Sequence, residues 1–324
     1  MLIAIIPTRN FVCLWKLFYR MFALNGAILP INLPTLWTAF KFDTHLRVSD
    51  PSKKLEEYLS RSGKQLLELY FTLPSSDYED KPPYELFARD FALVETALAH
   101  SYRWHRFSLF ADQFVPTLKF IDLFEELYVS NLEYLALCLS NFDPPMSTVE
   151  DRGIPNGAPR LYDVRIGPFH SLPPLSNITT LAIQGTPRGG YVSFQSHIFF
   201  SILTIPTLTN IFIESWNCLD YDAIDNPRNI PRIKMPGLKT LRITQDSHML
   251  GMLSFIDAPL LETLVLHDVD LTLVSIGQDI HKITAFIRLD AIALLSCYYQ
   301  LNRTQEMIHR NGLKFTGLQP IYVA

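Results

Sequence analysis

An α/β fold assembled from short parallel strands that recur along the chain is what the residue order predicts, and three observations carry that expectation. The motif Pro-x-Leu-x-x-(Ile/Leu/Val)-x-(Ile/Leu/Val) occurs at Pro116, Pro159, Pro206, Pro236 and Pro259, where a shuffled chain of this composition would hold about 0.2 copies. Leucine (48 of 324 residues) supplies material for a large core, while proline (22) breaks the chain often. Glycine is scarce at 13, which argues against loops that cradle phosphate. Helical periodicity appears only in short windows, before the first copy and between later ones.

The elements follow in order. Residues 1–31 are strongly apolar, but Arg9, Lys16 and Arg20 interrupt them and Pro7 and Pro30 bracket them, so no stable membrane insertion is expected. Asp50-Pro51 ahead of Leu55, Tyr58 and Leu59 predicts a helix start, with a carboxylate to cap free N–H groups and a proline whose φ is preset. Gly63 is placed to close that helix. The alternation in Leu67-Glu-Leu-Tyr-Phe predicts a strand that ends before Pro74. Phe87, Phe91, Val94 and Leu98 recur at three and four, which puts them on one face of a second helix within 84–100. Phe107-Ser-Leu-Phe reads as the next strand.

The repeated segments are PTLKFIDL, PRLYDVRI, PTLTNIFI, PGLKTLRI and PLLETLVL, with looser copies from Leu132 and Ile178. The last two apolar residues of each copy stand at i and i+2 and so point to one face of a strand, while the first tucks in from the preceding turn. One such unit cannot enclose its own core. Units must therefore stack with parallel strands, which is the arrangement of a leucine-rich-repeat solenoid. The expectation is an irregular solenoid over 49–324, clearest at 116–290, with its strands on the concave face and a small helical segment, 1–48, before it. Proline is read as ending each return segment. Ser196–Leu203 and Ser247–Ile256 are the expected return helices, and 217–235 an inter-repeat loop on the rim. The asparagine that regular repeats carry after the strand is missing from most copies.

Taken in order, Leu33-Pro-Thr-Leu-Trp-Thr-Ala-Phe, Leu55-Glu-Glu-Tyr-Leu-Ser-Arg-Ser-Gly, Leu67-Glu-Leu and Arg103-Trp-His-Arg-Phe-Ser-Leu resemble the F-box-like leucine-rich proteins abundant in mushroom-forming fungi. The resemblance covers about residues 33–290. It implies that Pro34, Leu36 and Trp37 correspond to the tail of an F-box. In that family the F-box recruits the adaptor subunit of a cullin-type ubiquitin ligase, and the repeats are thought to hold the protein to be ubiquitinated. The family's opening Leu-Pro-Pro-Glu-Ile is absent here, and Val12-Cys-Leu-Trp-Lys-Leu-Phe-Tyr-Arg matches its next helix loosely, so 1–48 is read as a truncated or degenerate F-box.

Chemistry-bearing constellations are few. A net charge of -4 offers no overall basic balance for nucleic acid. Cys13, Cys138, Cys218 and Cys297 lack any Cys-x-x-Cys spacing and are read as reduced core residues of a cytoplasmic or nuclear chain. His100 and His105 beside Trp104 are read as packing; Asp220, Asp222 and Asp225 as a solvated loop; Gly185-Thr-Pro-Arg-Gly-Gly as a turn. No catalytic, cofactor or metal residues are assigned. The positions between buried strand residues are the expected partner surface, represented by Tyr134, Arg165, Phe212 and Arg242, with Asp163, Asn210, Thr240 and Thr263 alongside. The leading expectation is a non-enzymatic substrate receptor of a cullin-type ligase. A stand-alone repeat scaffold is the alternative, and a hydrolase a remote third reading that a deep pocket with perturbed ionisable groups would distinguish.

Overall fold

The computed structural model describes residues 34–43, 50–73, 83–112, 124, 127–140, 157–167, 176–184, 196–214, 232–245, 253, 255–269, 291–295 and 314–315. The strands are β1 (Ala39–Asp43), β2 (Leu67–Leu73), β3 (Trp104–Asp112), β4 (Tyr134–Ser140), β5 (Asp163–Ile166), β6 (Thr180–Gln184), β7 (Asn210–Glu214), β8 (Ile233–Lys234), β9 (Thr240–Thr244), β10 (Ile256–Asp257), β11 (Thr263–His267), β12 (Ala291–Leu295) and β13 (Lys314–Phe315). Three helices accompany them among the described residues: α1 (Pro51–Arg61), α2 (Pro83–Leu98) and α3 (Ser196–Leu203). The architecture is mixed α/β. Its main sheet holds eleven strands in chain order, from β1 to β13, with β8 and β10 set apart as a parallel pair of their own. Every neighbouring pair in the main sheet is parallel.

Alternation decides which face is buried. In β2 Leu67, Leu69, Phe71 and Leu73 are buried, and the residues between them are half-buried. The register aligns these faces from strand to strand, so Phe40, Leu69, Phe107, Leu135, Val164 and Leu181 form one apolar row that Ile211, Leu241 and Leu264 continue. A one-residue slip in any strand would turn its whole row over to the other face.

Each of the four described motif prolines, Pro159, Pro206, Pro236 and Pro259, has a more specific role than ending the return segment. The N–H of Leu161 donates to Ala158 O (3.1 Å), Leu208 to Ile205 O (3.3 Å), Leu238 to Met235 O (3.2 Å) and Leu261 to Ala258 O (3.1 Å). Proline therefore occupies the second position of a hydrogen-bonded β-turn, where its fixed φ fits, and the turn swings the first leucine into the core. Successive turns pack closely: a Cβ on Gly237 would stand 3.1 Å from Leu208 O and 3.2 Å from Pro206 O. Just after each turn, one carbonyl receives two successive N–H groups from the next repeat. Tyr162 O accepts from Thr179 and Thr180 (3.0 and 2.9 Å), Thr179 O from Thr209 and Asn210 (2.9 and 3.0 Å), and Thr209 O from Lys239 and Thr240 (2.8 and 3.0 Å).

At the other end of the sheet, Asp50 Oδ1 accepts from Lys53 N (3.0 Å) and caps α1, and Gly63 follows the helix at φ +58°, a conformation glycine adopts without strain. The buried Arg103 donates to Gln65 O (2.9 Å), Leu59 O (3.4 Å) and Ser62 Oγ. A guanidinium at the helix C-terminus satisfies carbonyls that have no partner within the helix and faces the negative end of its dipole. Trp104 stacks on Phe107 (4.1 Å between centroids) and donates Nε1–H to Ala97 O (3.2 Å). Phe107 also meets Phe71 (5.7 Å) and Phe124 (5.6 Å), so this part of the core is aromatic.

The expected stripe of α2 faces the core: Val94 is buried, and Phe91 and Leu98 are half-buried and packed against it, with Asp90, Leu93 and Ala97 buried beside them. Three expectations are corrected. Ile256, expected at the end of a return helix, begins β10, and Ile233, expected in a rim loop, begins β8, because the residues just before Pro236 and Pro259 pair with each other (Ile233 N to Phe255 O, 2.8 Å). β1 lies within the segment 1–48 and pairs with β2, so the sheet starts at Ala39. Cys138 sits on the opposite face from the apolar rows, half-buried, with Sγ 3.4 Å from Gln184 Oε1. α3 matches its expected return helix and buries Phe199, Ile202 and Leu203. The motif copy at 116–123, most of 217–232 and of 247–254, residues 1–33, Cys13, Cys218 and Cys297 lie outside the described residues.

Candidate functional site

The face opposite the apolar rows carries polar, charged and aromatic side chains as well as small ones. Two rows matter. The register places Glu68, Arg106, Tyr134, Asp163, Thr180 and Asn210 side by side, with Thr240 and Thr263 beyond them. Two residues along the strands, Tyr70, Ser108, Ala136, Arg165, Ala182 and Phe212 form the second row, which Arg242 and Val265 extend. Neighbours within a row belong to strands about 4.8 Å apart, close enough for side chains to interact directly.

Tyr134, Arg165, Phe212 and Arg242 are thus brought onto one face, as expected, all half-buried. Tyr134 stands in the first row and the other three in the second. Ala136, Ala182 and Ser108 between them are buried, because small side chains leave the surface to their longer neighbours. Pro34, Leu36 and Trp37 lie far from this group, in a 3-10 turn that leads into edge strand β1. Trp37 is engaged within the chain: its ring meets Tyr58 edge-on (4.8 Å) and the Arg61 guanidinium lies 4.4 Å over it. The side chain of Leu36 lies outside the described residues.

Charges alternate across the face from β2 to β7. Arg106 lies 4.4 Å over the Tyr134 ring, Tyr70 donates its hydroxyl to Glu68 Oε2 (3.2 Å), and Arg165 Nη2 stands 3.4 Å from Glu214 Oε2. Burial pushes the Tyr70 phenol up to about 12, with Glu68 adding to the shift. Burial likewise raises Asp163, and the Arg106 and Arg165 charges pull it back. For Arg106, burial works against the charge, but Tyr70, Glu68 and Tyr134 outweigh it and the guanidinium is held above its ordinary value. Burial pushes the Cys138 thiol up to about 12, which keeps it a thiol rather than a nucleophilic thiolate at neutral pH. Among the described residues no three His, Cys, Asp or Glu side chains come together in a way that would hold a metal ion. No helix among them is long and apolar enough to cross a membrane.

Glu68, Tyr70, Arg106, Glu214 and Gln184 were not singled out by sequence reasoning. Alternation in Leu67-Glu-Leu-Tyr-Phe was signal enough to place Glu68 and Tyr70 outward. Arg106 was harder, because the β2–β3 pairing shifts register between Leu67 and Glu68, skipping His105, and such an irregularity resets the phase of the strand. His105 instead lies 3.9 Å from Glu133 through Nε2, and Trp104 is core, in agreement with their reading as packing residues. Asp220, Asp222, Asp225 and the Gly185 turn lie outside the described residues. No protein-family model matches the chain, and neither does any curated protein or solved structure.

Proposed function

We propose that the chain is a non-enzymatic interaction protein, an irregular leucine-rich-repeat solenoid whose charged and aromatic sheet face is the concave partner surface. In this reading it serves as an F-box-like substrate receptor of a cullin-type ubiquitin ligase in the cytoplasm or nucleus. One observation carries the interaction half. The main-sheet strands from β4 to β11, in a single parallel register, present Tyr134, Asp163, Arg165, Phe212 and Arg242 at two outward positions among small and polar residues, which is a surface suited to a protein ligand rather than a small molecule in a cleft. The ligase half rests on the resemblance of the segments around Pro34–Trp37, Ser60–Gly63 and Arg103–Trp104.

A specific observation favours the alternative of a stand-alone scaffold. Trp37 is occupied by Tyr58 and Arg61, and β1 belongs to the sheet, so residues 34–43 have a structural role of their own. Affinity purification of the full chain and of a 34–324 fragment, followed by mass spectrometry, tests both. The ligase reading expects a cullin-ligase adaptor with the full chain only; a full chain that retains none overturns it. The interaction reading expects other captured proteins to survive the deletion and to be lost on combining Arg165→Glu with Arg242→Glu, and unchanged capture by that variant counts against this face.

A further inference from the structure

The outward face changes character beyond β7. From β2 to β7 its cations are compensated, Arg106 by Glu68 and Asp163, and Arg165 by Glu214. Arg242 on β9 forms no ion pair with any described carboxylate; its Nε donates to Thr244 Oγ1 (3.2 Å) on the same strand. Phe212 and Val265 flank it in the row. Thr244 is paired in register with His267 of β11, whose Nδ1 is buried and has no hydrogen-bond partner among the described residues. A buried polar nitrogen without a partner costs stability until something bonds to it.

We infer that Arg242, Thr244 and His267, with Phe212 as an apolar wall, anchor a carboxylate side chain on an extended segment of the bound protein; this rests on the reading of the face as a partner surface. The Arg242 guanidinium keeps two nitrogens for a two-point contact with a planar carboxylate while Thr244 fixes its orientation through Nε. The His267 ring, in register with Thr244, borders the site from the neighbouring strand. A carboxylate is favoured over a phosphate because Glu214 stands in register with Thr244 on the other side, and its charge disfavours a dianion next to it.

The test uses the full chain and fluorescence anisotropy with labelled peptides of alternating Glu and Ser, of alternating Gln and Ser, and of the Gln-Ser peptide with one central phosphoserine. The glutamate probe is expected to bind at least about tenfold more tightly than the other two. Arg242→Gln is expected to bring it down to the level of the glutamine probe, Arg242→Lys to fall between, and Lys54→Gln, on the exposed side of α1, to stay within about twofold of the wild type. Equal binding of the glutamate and glutamine probes, absence of binding, or full affinity in an Arg242→Gln chain that melts like the wild type overturns the proposal. A single phosphoserine that binds as well as the glutamate probe overturns the choice of carboxylate. If captured proteins are lost on Arg165→Glu while the probes are not distinguished, the interaction reading stands and the carboxylate anchor falls.

Discussion

The first three strands and the strands from β5 to β11 solve the same problem with different materials. β2 and β3 are seven and nine residues long, are accompanied by α1 and α2, and bury Phe71, Trp104 and Phe107 among stacked and tilted rings. β5 to β11 have at most five residues each in the main sheet and bury Val, Leu and Ile. In the first region a single side chain, Arg103, ties a helix end to a strand. In the second the recurring ties are backbone, a proline turn and one carbonyl shared by two N–H groups, with side-chain bonds such as Thr207 Oγ1 to Ile178 O (2.6 Å) beside them. The difference teaches that one sheet can be held locally either by particular residues or by a repeated geometry, and that the two should fail differently.

The largest expected break is Trp104→Ala, which removes a fully buried ring and its hydrogen bond to Ala97 and is expected to cost about 3–5 kcal/mol, measured by urea unfolding. Leu241→Ala should cost about 2–4 kcal/mol by the same measurement, since several aliphatic neighbours from adjacent strands surround the cavity. Native-state hydrogen exchange sharpens the contrast. Loss of protection in Trp104→Ala is expected to centre on β2, β3 and α1, and in Leu241→Ala on β7, β9 and β11. Arg103→Met should cost about 2 kcal/mol because the carbonyls of Leu59 and Gln65 and the Ser62 hydroxyl lose a charged donor, whereas Pro159→Ala should cost under about 1 kcal/mol, the turn hydrogen bond from Leu161 to Ala158 being kept.

The smallest effect concerns Asp90, whose carboxyl is raised by burial, with Arg89 partly offsetting the shift. A raised carboxyl means that the folded state binds more protons than the unfolded one between the unfolded and folded values, so this group's contribution to stability falls as pH rises through that window. Asp90→Asn removes the titration. Stability of the wild type relative to Asp90→Asn is therefore expected to drop in urea melts as pH rises above the ordinary carboxyl range; a flat difference would show that the Arg89 pairing (2.8 Å) cancels the burial.

How legible each region was follows from the same contrast. The backbone-held strands announced themselves, because a turn that requires proline and a strand that requires apolar residues at i and i+2 leave a pattern in the letters. Asp50-Pro51 and Gly63 were equally readable, since helix ends depend on one or two residue types. The side-chain-held region was not. Nothing in Arg103 as a letter says that it will cap α1 across 41 residues from Ser62. The outward face was half legible: Tyr134, Asp163, Arg165, Phe212 and Arg242 follow from alternation, but Glu214, the partner of Arg165, comes from a strand two places away whose register only the folded sheet defines. Gln245 and Asp268 each follow their strand at positive φ (60° and 54°), and Gln245 Nε2 donates to Asp268 Oδ2 (3.0 Å), a side-chain link between neighbouring strands that no single letter announces.

Strand order in the main sheet never departs from chain order, and this has a bearing on synthesis. A strand that pairs only with the one made just before it has its acceptors waiting when it leaves the ribosome. β2 completes its bonds to β1, and β3 to β2, without any segment yet to be made. Low separation between partners shortens the search for each new pairing. The exposed edge at any moment is one strand, and the next few dozen residues of the same chain arrive to cover it before another molecule does.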